Sequence, residues 1–296
     1  MNDDEVLAHR FEESRTHLSA VAYRMLGSIS EAEDAVQEGW LRLSRAETSD
    51  VENLRGWLTT VVARVCLDML RSRKMRSEEP LDVHVPDPIV SELDGADPEH
   101  EAVLGDSVGL ALLVVLDTLT PAERLAFVLH DMFALSFDEI APIAGRTPAA
   151  SRQLASRARR RVQGSGPVPD ADLTRQREIV EAFMAASRGG RFDDLLALLD
   201  PDIVLRADGG ADGSSLVRGA RAVSEQALTF ARFAPFARLA LVNGAAGVVT
   251  APEGKAMSVM AFTVSGGKIA RIDILADPHR LQVLGLSSAG DRRPRR

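Results

Sequence analysis

The sequence predicts a multidomain protein in which two all-α domains, a helical bundle and a helix-turn-helix, precede an α+β domain. Three observations lead to this prediction. Apolar residues recur at helical spacing through the first half of the chain. Two segments rich in proline, glycine or acidic residues, 77–98 and 164–171, interrupt that pattern and are expected to be linkers. Beyond the second segment, short runs of β-branched residues follow two helical stretches.

The composition limits the class of protein. The chain has 296 residues, of which 45% are apolar, enough for several domains with real cores. Its single cysteine, Cys66, excludes a disulfide framework. The N-terminus is acidic, and no apolar run is long enough for a signal sequence or a membrane helix, so we expect a cytoplasmic protein. A formal charge of −8 argues against indiscriminate nucleic-acid binding, although a local basic cluster can still bind DNA.

The first domain, 1–76, is predicted to be a bundle of three helices. The first helix has an apolar stripe that we expect to be buried, formed by Phe11, Leu18, Val21, Ala22 and Met25. Ser30 and Glu33 have the spacing of a capping box, which predicts the start of the second helix. The third helix, over about 53–74, becomes basic towards its end.

The second domain, 99–163, has the pattern of a helix-turn-helix. Thr120 with Glu123, and Ser136 with Glu139, are spaced as capping boxes at two helix starts. Gly145 can end the second of these helices, and Thr147-Pro148 begins the next one. Two helices joined by about three residues around a glycine are typical of this DNA-binding motif.

The helix after the turn concentrates positive charge. Five arginines lie between positions 152 and 161 without an acidic residue among them. At 100° per residue, one face is expected to be buried, with Ser151, Leu154, Ala158 and Val162. The opposite face carries Ala149, Arg152, Gln153, Ser156 and Arg160, with Arg159 at its edge. Such a helix fits the major groove, whereas a solvated basic helix end is the alternative. The capped helix and turn before it favour DNA binding.

The third domain, 172–285, changes from helices to strands. Two helical segments are followed by five strand-like runs, and "SGGK" at 265–268 is typical of a tight hairpin turn. This order predicts an α+β domain with an antiparallel sheet. The tail, 286–296, is expected to be disordered.

The first two domains resemble a known family. "SISEAEDAVQEGWLRL" followed by "NLRGWLTTVVARVCLDMLRSRK" resembles regions 2.2 to 2.4 of bacterial sigma factors of the extracytoplasmic-function group. "LTPAERLAFVLHDMFALSFDEIAPIAGRTPAASRQLASRARRRV" is similar to their region 4. The resemblance covers about 1–163, so it implies sigma region 2 at 1–76 and region 4 at 99–163. It also implies a protein that directs RNA polymerase to promoters, with core polymerase and promoter DNA as partners.

The resemblance implies roles for particular residues. The polymerase-docking surface corresponds to Asp34, Gln37, Glu38 and Arg42, although an ordinary solvated face remains the alternative for the two acids. The loop that captures a flipped −10 base corresponds to 45–55, including Asn53 and Arg55. Contacts with −10 phosphates correspond to Arg64, Arg71, Arg73 and Lys74. The −35 element would be contacted by Thr147, Ala149, Arg152, Gln153, Ser156, Arg159 and Arg160. Trp40 and Trp57 are expected in the core. The two DNA-binding regions are expected to be flexibly linked, with polymerase setting their separation.

The third domain is similar to SnoaL-like domains, in which helices lie on a curved sheet, through "IVEAFMAASRGGRFDDLLALLDPDIVLRADGG". Sigma factors with this extension form a subgroup regulated in cis. This sequence differs from that subgroup in three motifs. Its linker reads "SEEPLDVHVPDP", its glycine motif reads "DGGAD" and its last motif reads "ADPHRL". We expect the domain to contact the 77–98 linker through Leu81, Val83, Val85 and Ile89, and to inhibit the sigma regions.

SnoaL-like folds also include enzymes that use an Asp or His as general base. Asp208 and Asp273 are candidates for a ligand pocket, and His279 is the single histidine of this domain. No matched acid–base partner is evident, so we expect no enzyme, no cofactor and no metal. Two alternatives stay open at this point: a one-component DNA-binding regulator that senses a small ligand, and an enzyme whose N-terminal half only binds a partner.

Overall fold

The computed structural model describes residues 3–45, 53–76, 83–92, 109–164, 166–210 and 213–286. These residues form two compact units. The first unit contains the N-terminal helices and the described chain from Val115 to Gly166, and the second contains 83–92, 109–114 and the chain from Pro167 onwards. Most of the 45–55 loop, Leu81 and the tail from 287 lie outside the described residues.

The first part of the first unit is the expected bundle, with α1 at Asp3–Leu26, α2 at Ile29–Leu43 and α3 at Leu54–Arg76. The whole predicted stripe of α1, from Phe11 to Met25, is buried. The predicted capping box of Ser30 and Glu33 is wrong. The N-cap of α2 is Ser28, without a side-chain capping bond, because the helix already begins before Ser30.

The second part of this unit confirms the helix-turn-helix. The elements of this region are α4 (Leu110–Asp117), α5 (Pro121–Phe127), a π-helical turn (Val128–Met132), α6 (Phe137–Ala144) and α7 (Pro148–Gly164). Residues 110–114 of α4 are grouped with the second unit. Both predicted capping boxes are present, at Thr120–Glu123 and Ser136–Glu139. Gly145 ends α6 with a φ of 65°, a left-handed conformation that glycine adopts without steric cost.

The second unit is the α+β domain. Its helices are α8 (Leu173–Arg188), α9 (Phe192–Leu198), α10 (Ala220–Thr229) and α11 (Pro278–Val283), with 3₁₀ turns at Ala231–Phe236 and Pro252–Gly254. Its strands are β1 (Val90–Ser91), β2 (Leu199–Asp208), β3 (Ser215–Arg218), β4 (Ala237–Val242), β5 (Ala245–Thr250), β6 (Ser258–Ser265) and β7 (Lys268–Leu275). The strand β1 comes from the linker between the two helical regions, whereas the others come from the third domain.

The strands form one seven-stranded sheet in the order β1-β4-β5-β6-β7-β2-β3. Neighbours are antiparallel except β2 and β7, which pair in parallel, so the expectation of a purely antiparallel sheet is corrected there. The "SGGK" turn is present, with positive φ at Gly266 and Gly267 as a type I′ hairpin requires. The strands β1 and β3 were not predicted.

The two faces of the sheet differ in character. One face packs on the domain's helices in an apolar core that includes Val180, Phe183, Leu195, Val223 and Phe262. On the strands β2 and β7, the other face carries charged side chains, because the register pairs Arg206 with Asp273 and Val204 with Arg271. No helix among the described residues is long and apolar enough to cross a membrane.

Candidate nucleic-acid interface

The helix α7 presents one polar, cationic side to solvent. Of the face expected to be buried, Ser151 and Ala158 are buried, whereas Leu154 and Val162 are only half-buried. Ala155, which was not predicted, completes the buried side. The opposite side is exposed at Thr147, Ala149, Arg152, Gln153, Ser156 and Arg160, and Arg159 is half-buried. Thr147 caps the helix, since its Oγ1 accepts the N–H of Ala150 at 3.2 Å. The N-terminal turns therefore expose small residues and the later turns expose arginines, as a major-groove helix does.

Two arginines of α7 contact side chains of the preceding helical segment. The guanidinium carbon of Arg152 lies 5.1 Å from the ring centroid of Phe137. The Phe137 ring stacks on His130, with centroids 4.0 Å apart and an interplanar angle of 30°. Arg159 forms an ion pair with Asp131. The sequence assigned Arg152 and Arg159 to the −35 element, but it did not predict the side chains that these two arginines contact.

The basic residues assigned to −10 contacts are in different situations. Lys74 is exposed, and Arg71 is exposed beside Asp68, 3.4 Å away. Arg73 pairs with Glu31 and donates to the carbonyl of Leu26, so part of its role is to hold α3 against the start of α2. Three further residues assigned to the −10 element lie earlier in the chain. The Nη2 of Arg64 donates to the carbonyl of Pro142 at 3.0 Å, and Arg55 is exposed. The Oδ1 of Asn53 accepts the N–H of Gly56.

The helix α2 offers a separate exposed face. Asp34, Gln37 and Arg42 are exposed, and Glu38 is half-buried with its Oε1 2.8 Å from Nε of Arg42. The opposite face of the same helix is buried. Trp40 packs against Phe11 with ring centroids 5.1 Å apart, but it is half-buried, so the expected core position is corrected to the edge of the core. Trp57 is half-buried.

The bundle and the helix-turn-helix pack against each other within the first unit. The Nε of Arg124 donates to the carbonyl of Arg24 at 3.2 Å, and the Arg24 guanidinium lies 5.2 Å from the centroid of Phe133. The ring of His17 meets Phe133 edge-on at 5.3 Å. Burial, together with the nearby Arg55 and Arg24, lowers the pKa of His17 to about 4. The two regions were expected to be flexibly linked, but in this structure they are in contact.

A buried polar cluster in the second unit holds the linker on the α+β domain. We call Val85, Asp87, Asp208 and Arg280 the Arg280 cluster. The N–H of Val85 donates to Oδ2 of Asp208 at 3.0 Å. The Arg280 guanidinium donates to Asp208 at 2.8 Å, to Asp87 at 3.0 Å and to the carbonyl of Val85 at 2.6 Å. Burial by itself raises the pKa of Asp208. The hydrogen bonds from His84 and the Val85 N–H, together with the charge of Arg280, outweigh that effect and hold the pKa well below its usual range.

Local structure positions both ends of this cluster. Asp277 caps α11, since its Oδ1 accepts the N–H groups of His279 at 2.8 Å and Arg280 at 3.0 Å. Gly210, with φ of 58°, lies so close to Asp277 that a Cβ at this position would collide with the carboxylate. The "DGG" and "ADPHRL" segments are therefore in contact, and Arg280 is directed by the helix start that Asp277 fixes.

A second contact holds the linker a few residues further on. The N–H of Ile89 donates to Oδ1 of Asn243 at 3.0 Å, and the N–H of Asn243 donates to the carbonyl of Ile89 at 2.8 Å. Beyond this exchange, β1 pairs antiparallel with β4 through Val90 and Val242. Val85 and Ile89 are buried and Val83 is half-buried. The Asn-Gly dipeptide at 243–244 signals a hairpin turn, but nothing in the sequence indicates the partner of Asn243.

Comparison with known proteins agrees with this architecture. A family model of Sigma-70 region 2 matches residues 11–76, and one of Sigma-70 region 4 matches residues 109–162. The chain is 38% identical to the ECF RNA polymerase sigma factor SigJ of Mycobacterium tuberculosis over 287 residues, 91% of each chain. The chain belongs to the extracytoplasmic-function sigma factors. It directs RNA polymerase to promoters through the two helical regions described above.

Two further comparisons extend along nearly all of this chain. It is 35% identical over 294 residues to the probable ECF RNA polymerase sigma factor SigI of Mycobacterium tuberculosis, covering 98% of this chain and 100% of that one. The crystal structure of SigJ matches with a TM-score of 0.78 and 36% identity, covering 95% of this chain and 100% of that chain. The SnoaL-like domain is thus part of an architecture shared with SigJ.

The candidate pocket residues of this sigma factor are engaged with arginines. Asp273, 1% exposed, lies 2.8 Å from Nη1 of Arg206. Burial raises the pKa of Asp273, and Arg206 and Arg271 oppose the shift. Asp208 belongs to the Arg280 cluster, and His279 is exposed at the start of α11. The two aspartates lie on the charged face of the sheet, away from the apolar core under the helices.

Proposed function

We propose that three separate surfaces of this sigma factor carry promoter recognition, with region 2 at 1–76 and region 4 at 99–163. The exposed face of α2, with Asp34, Gln37, Glu38 and Arg42, docks on core RNA polymerase. The start of α3 and its basic residues contact the −10 strand. The exposed side of α7 binds the −35 element. The observation that carries this proposal is the phase of α7, because Arg152, Gln153 and Ser156 are exposed opposite a buried face that fixes the helix.

Within α7, position along the helix separates two kinds of contact. Arg152 and Gln153 lie in the N-terminal half, where residues of a major-groove helix meet base edges. An arginine there can bind guanine through two hydrogen bonds. Arg160 lies two turns later, where arginines meet phosphates and contribute affinity without base preference. Arg152 is therefore assigned to specificity and Arg160 to general binding.

Promoter binding requires the two regions to separate. Arg64, assigned to −10 phosphates, donates instead to Pro142 of region 4. The −10 and −35 elements are about 25 base pairs apart, or about 85 Å of B-DNA. A compact unit of about 140 residues has a radius of gyration near 14 Å, hence a width of about 40 Å. The packed unit cannot span both elements, so we infer that it opens when polymerase binds.

The −35 assignment is tested with holoenzyme reconstituted from core polymerase and full-length sigma factor. Arg152→Ala and Arg160→Ala are compared on promoters carrying each base at each −35 position. Arg152→Ala should cost about 1–3 kcal/mol at one base pair and remove discrimination there. Arg160→Ala should weaken binding to all promoters and reduce the salt dependence. Arg232→Ala, at an exposed arginine of the third domain, is the matched control. Identical profiles for the first two variants would refute the assigned helix phase.

We also propose that the SnoaL-like domain controls the sigma regions in cis through the linker. The Arg280 cluster, the Asn243–Ile89 exchange and the pairing of β1 with β4 support this proposal. A domain joined by a short tether has an effective concentration of the order of millimolar, so even weak docking is mostly formed. Docking restrains the segment that joins the two DNA-binding regions, which must separate on a promoter. We therefore propose that the domain inhibits.

Cutting the chain after Gln163 tests this control. Transcription is compared for the full-length protein, for residues 1–163, and for 1–163 with the separate third domain added. Inhibition in cis predicts several-fold higher activity of 1–163 than of the full-length protein, and little effect of adding the separate domain at low concentration. Equal activity in all three arms would remove the regulatory role.

We propose no catalytic role for the third domain. A general base must be free to accept a proton from a substrate. Asp208 is bound by Arg280 and by the Val85 N–H, and Asp273 is paired with Arg206. The action of the protein is then binding alone, in the cytoplasm beside polymerase. We therefore expect Asp208→Asn to lose the control of transcription, with no enzymatic activity involved in that loss.

A further inference from the structure

We propose that the π-helical turn Val128–Met132, together with Phe137, controls how two arginines of α7 bind DNA, by orienting Arg152 and by restraining Arg159. Three residues are involved: His130 and Phe137 act on Arg152, and Asp131 acts on Arg159. None of the three is assigned to DNA contact: His130 and Phe137 are positioning residues for Arg152, and Asp131 neutralises part of the charge of Arg159. The inference rests on the proposed −35 function of α7 and names what prepares that surface.

The first arm is an aromatic stack under Arg152. Phe137 is the first residue of α6, and the capping box of Ser136 and Glu139 fixes that helix start. The His130 ring stacks on Phe137 at 4.0 Å, and its Nδ1 lies 2.8 Å from the carbonyl oxygen of Leu135, which fixes the plane of the imidazole. These contacts fix the Phe137 ring independently of its contact with Arg152.

The stack changes what Arg152 must lose when it binds. A long arginine side chain loses rotamer freedom on binding DNA, and that cost lowers affinity for every contact that needs one orientation. The Arg152 guanidinium already lies 5.1 Å from the Phe137 centroid, within the range of a cation–π interaction. Part of the ordering is therefore complete in free protein. Only the base pair that Arg152 reads should be sensitive to this preorganisation.

The second arm is an ion pair at the edge of the exposed side. Asp131 follows His130 directly in the π-helical turn and pairs with Arg159, whose side chain is 38% exposed. A carboxylate beside an arginine neutralises charge that would otherwise bind any phosphate. Asp131 therefore restrains binding that has no sequence preference, while the aromatic stack favours binding that has one. π-helical turns inside helices are frequent at functional sites, and here consecutive residues of one turn supply both arms.

The first experiment measures base discrimination by holoenzyme at the base pair that Arg152→Ala identifies. Phe137→Leu should lower discrimination there by about 2- to 5-fold, the size of an exposed cation–π interaction. Phe137→Tyr keeps the ring and should retain discrimination, and His130→Gln should act in the direction of Phe137→Leu. Phe233→Leu is the matched control, because Phe233 also lies under an arginine, Arg232 at 4.8 Å, but in the third domain.

A double-mutant cycle separates positioning from stability. In the Arg152→Ala background, Phe137→Leu should change discrimination no further, because its effect passes through Arg152. If Phe137→Leu lowers the melting temperature strongly, the inference is tested instead by the base discrimination of His130→Gln and by the promoter binding of Asp131→Asn. For Asp131→Asn we expect tighter binding to all promoters and a steeper salt dependence, by about one unit of slope.

The outcomes distinguish this inference from the assignment beneath it. If Arg152→Ala shows no base-specific effect, the −35 assignment and the positioning role both fail. If Arg152→Ala does show one but Phe137→Leu and His130→Gln leave discrimination unchanged, the aromatic arm alone is overturned. An equal effect of Phe137→Leu with and without Arg152 would also make Phe137 merely structural. Weaker binding by Asp131→Asn to all promoters would overturn the second arm.

Discussion

Replacing Arg280 by alanine should release the linker segment 83–91 from the SnoaL-like domain. The Arg280 guanidinium contacts the linker twice, at Asp87 and at the Val85 carbonyl, and contacts the domain at Asp208. The Asp87 and Asp208 side chains are 9% and 8% exposed. Without Arg280, two buried carboxylates would face each other across the docking contact without the guanidinium that bridges them, and His84, 3.3 Å from Asp208, would contact one of the two.

The size of the effect follows from burial. Breaking a buried ion pair by removing one partner costs about 3–5 kcal/mol. The Arg280 side chain keeps 22% of its surface exposed, so solvent can compensate part of the loss, and we take about 2–4 kcal/mol. At a factor of ten per 1.4 kcal/mol, the docking equilibrium shifts about 30- to 700-fold towards the released linker.

Hydrogen exchange measures this shift directly. The amides of Val85 and Ile89 are bonded only through docking, to Asp208 and Asn243, so Arg280→Ala should speed their exchange. Amides in the centre of the sheet should keep their protection. Arg232→Ala is the control and should change neither set.

Two results would refute this reasoning. Unchanged protection of Val85 would show that the Arg280 cluster does not hold the linker. Equal loss of protection across β5, β6 and β7 would show that Arg280 stabilises the domain itself. With docking lost and the domain intact, transcription should rise several-fold if docking inhibits.

Three further predictions concern other parts of the molecule. Charge reversal at Asp34 and Glu38 should abolish promoter-dependent transcription with the melting temperature nearly unchanged, whereas a large drop in melting temperature would make them structural. His17 has its pKa lowered to about 4, so the stability that its neutral form contributes is present above about pH 6.5 and is lost as pH falls towards 4. Thermal unfolding from pH 7 to 4.5 should therefore depend on pH less in His17→Gln, and equal dependence would contradict this. The depressed pKa of Asp208 means that docking should persist as pH falls to about 4, near the unfolded value, and weaken only below it. Loss of Val85 protection between pH 7 and 5 would count against it.

The departures in the linker and domain motifs have a structural counterpart. Asp87 in "VPDP", Asp208 in "DGG" and Arg280 in "PHRL" meet in the Arg280 cluster. The altered segments are therefore still in contact with one another. Gly210 contributes by its lack of a Cβ, since Asp277 occupies that space.

The sequence by itself determined the elements that depend on interactions within a few residues. The capping boxes at Thr120 and Ser136, the left-handed Gly145 and the phase of α7 follow from side chains one helical turn apart. The same rule failed at Ser30, where the capping spacing was present but the helix started from Ser28. A capping pattern marks a possible start, and packing of the flanking segments selects among starts.

Only the tertiary structure decided which distant segments meet. The parallel pairing of β2 with β7, the addition of β1 to the sheet, and the contact of Arg280 with a linker almost two hundred residues earlier have no local signature. Asp208 shows the consequence, because the sequence offered it as a candidate for a ligand pocket and the structure places it against the Val85 N–H and Arg280. Hydrogen bonds between remote segments form only where the sheet register and burial bring them together, and that free energy is shared across the whole domain rather than encoded in any short stretch of it.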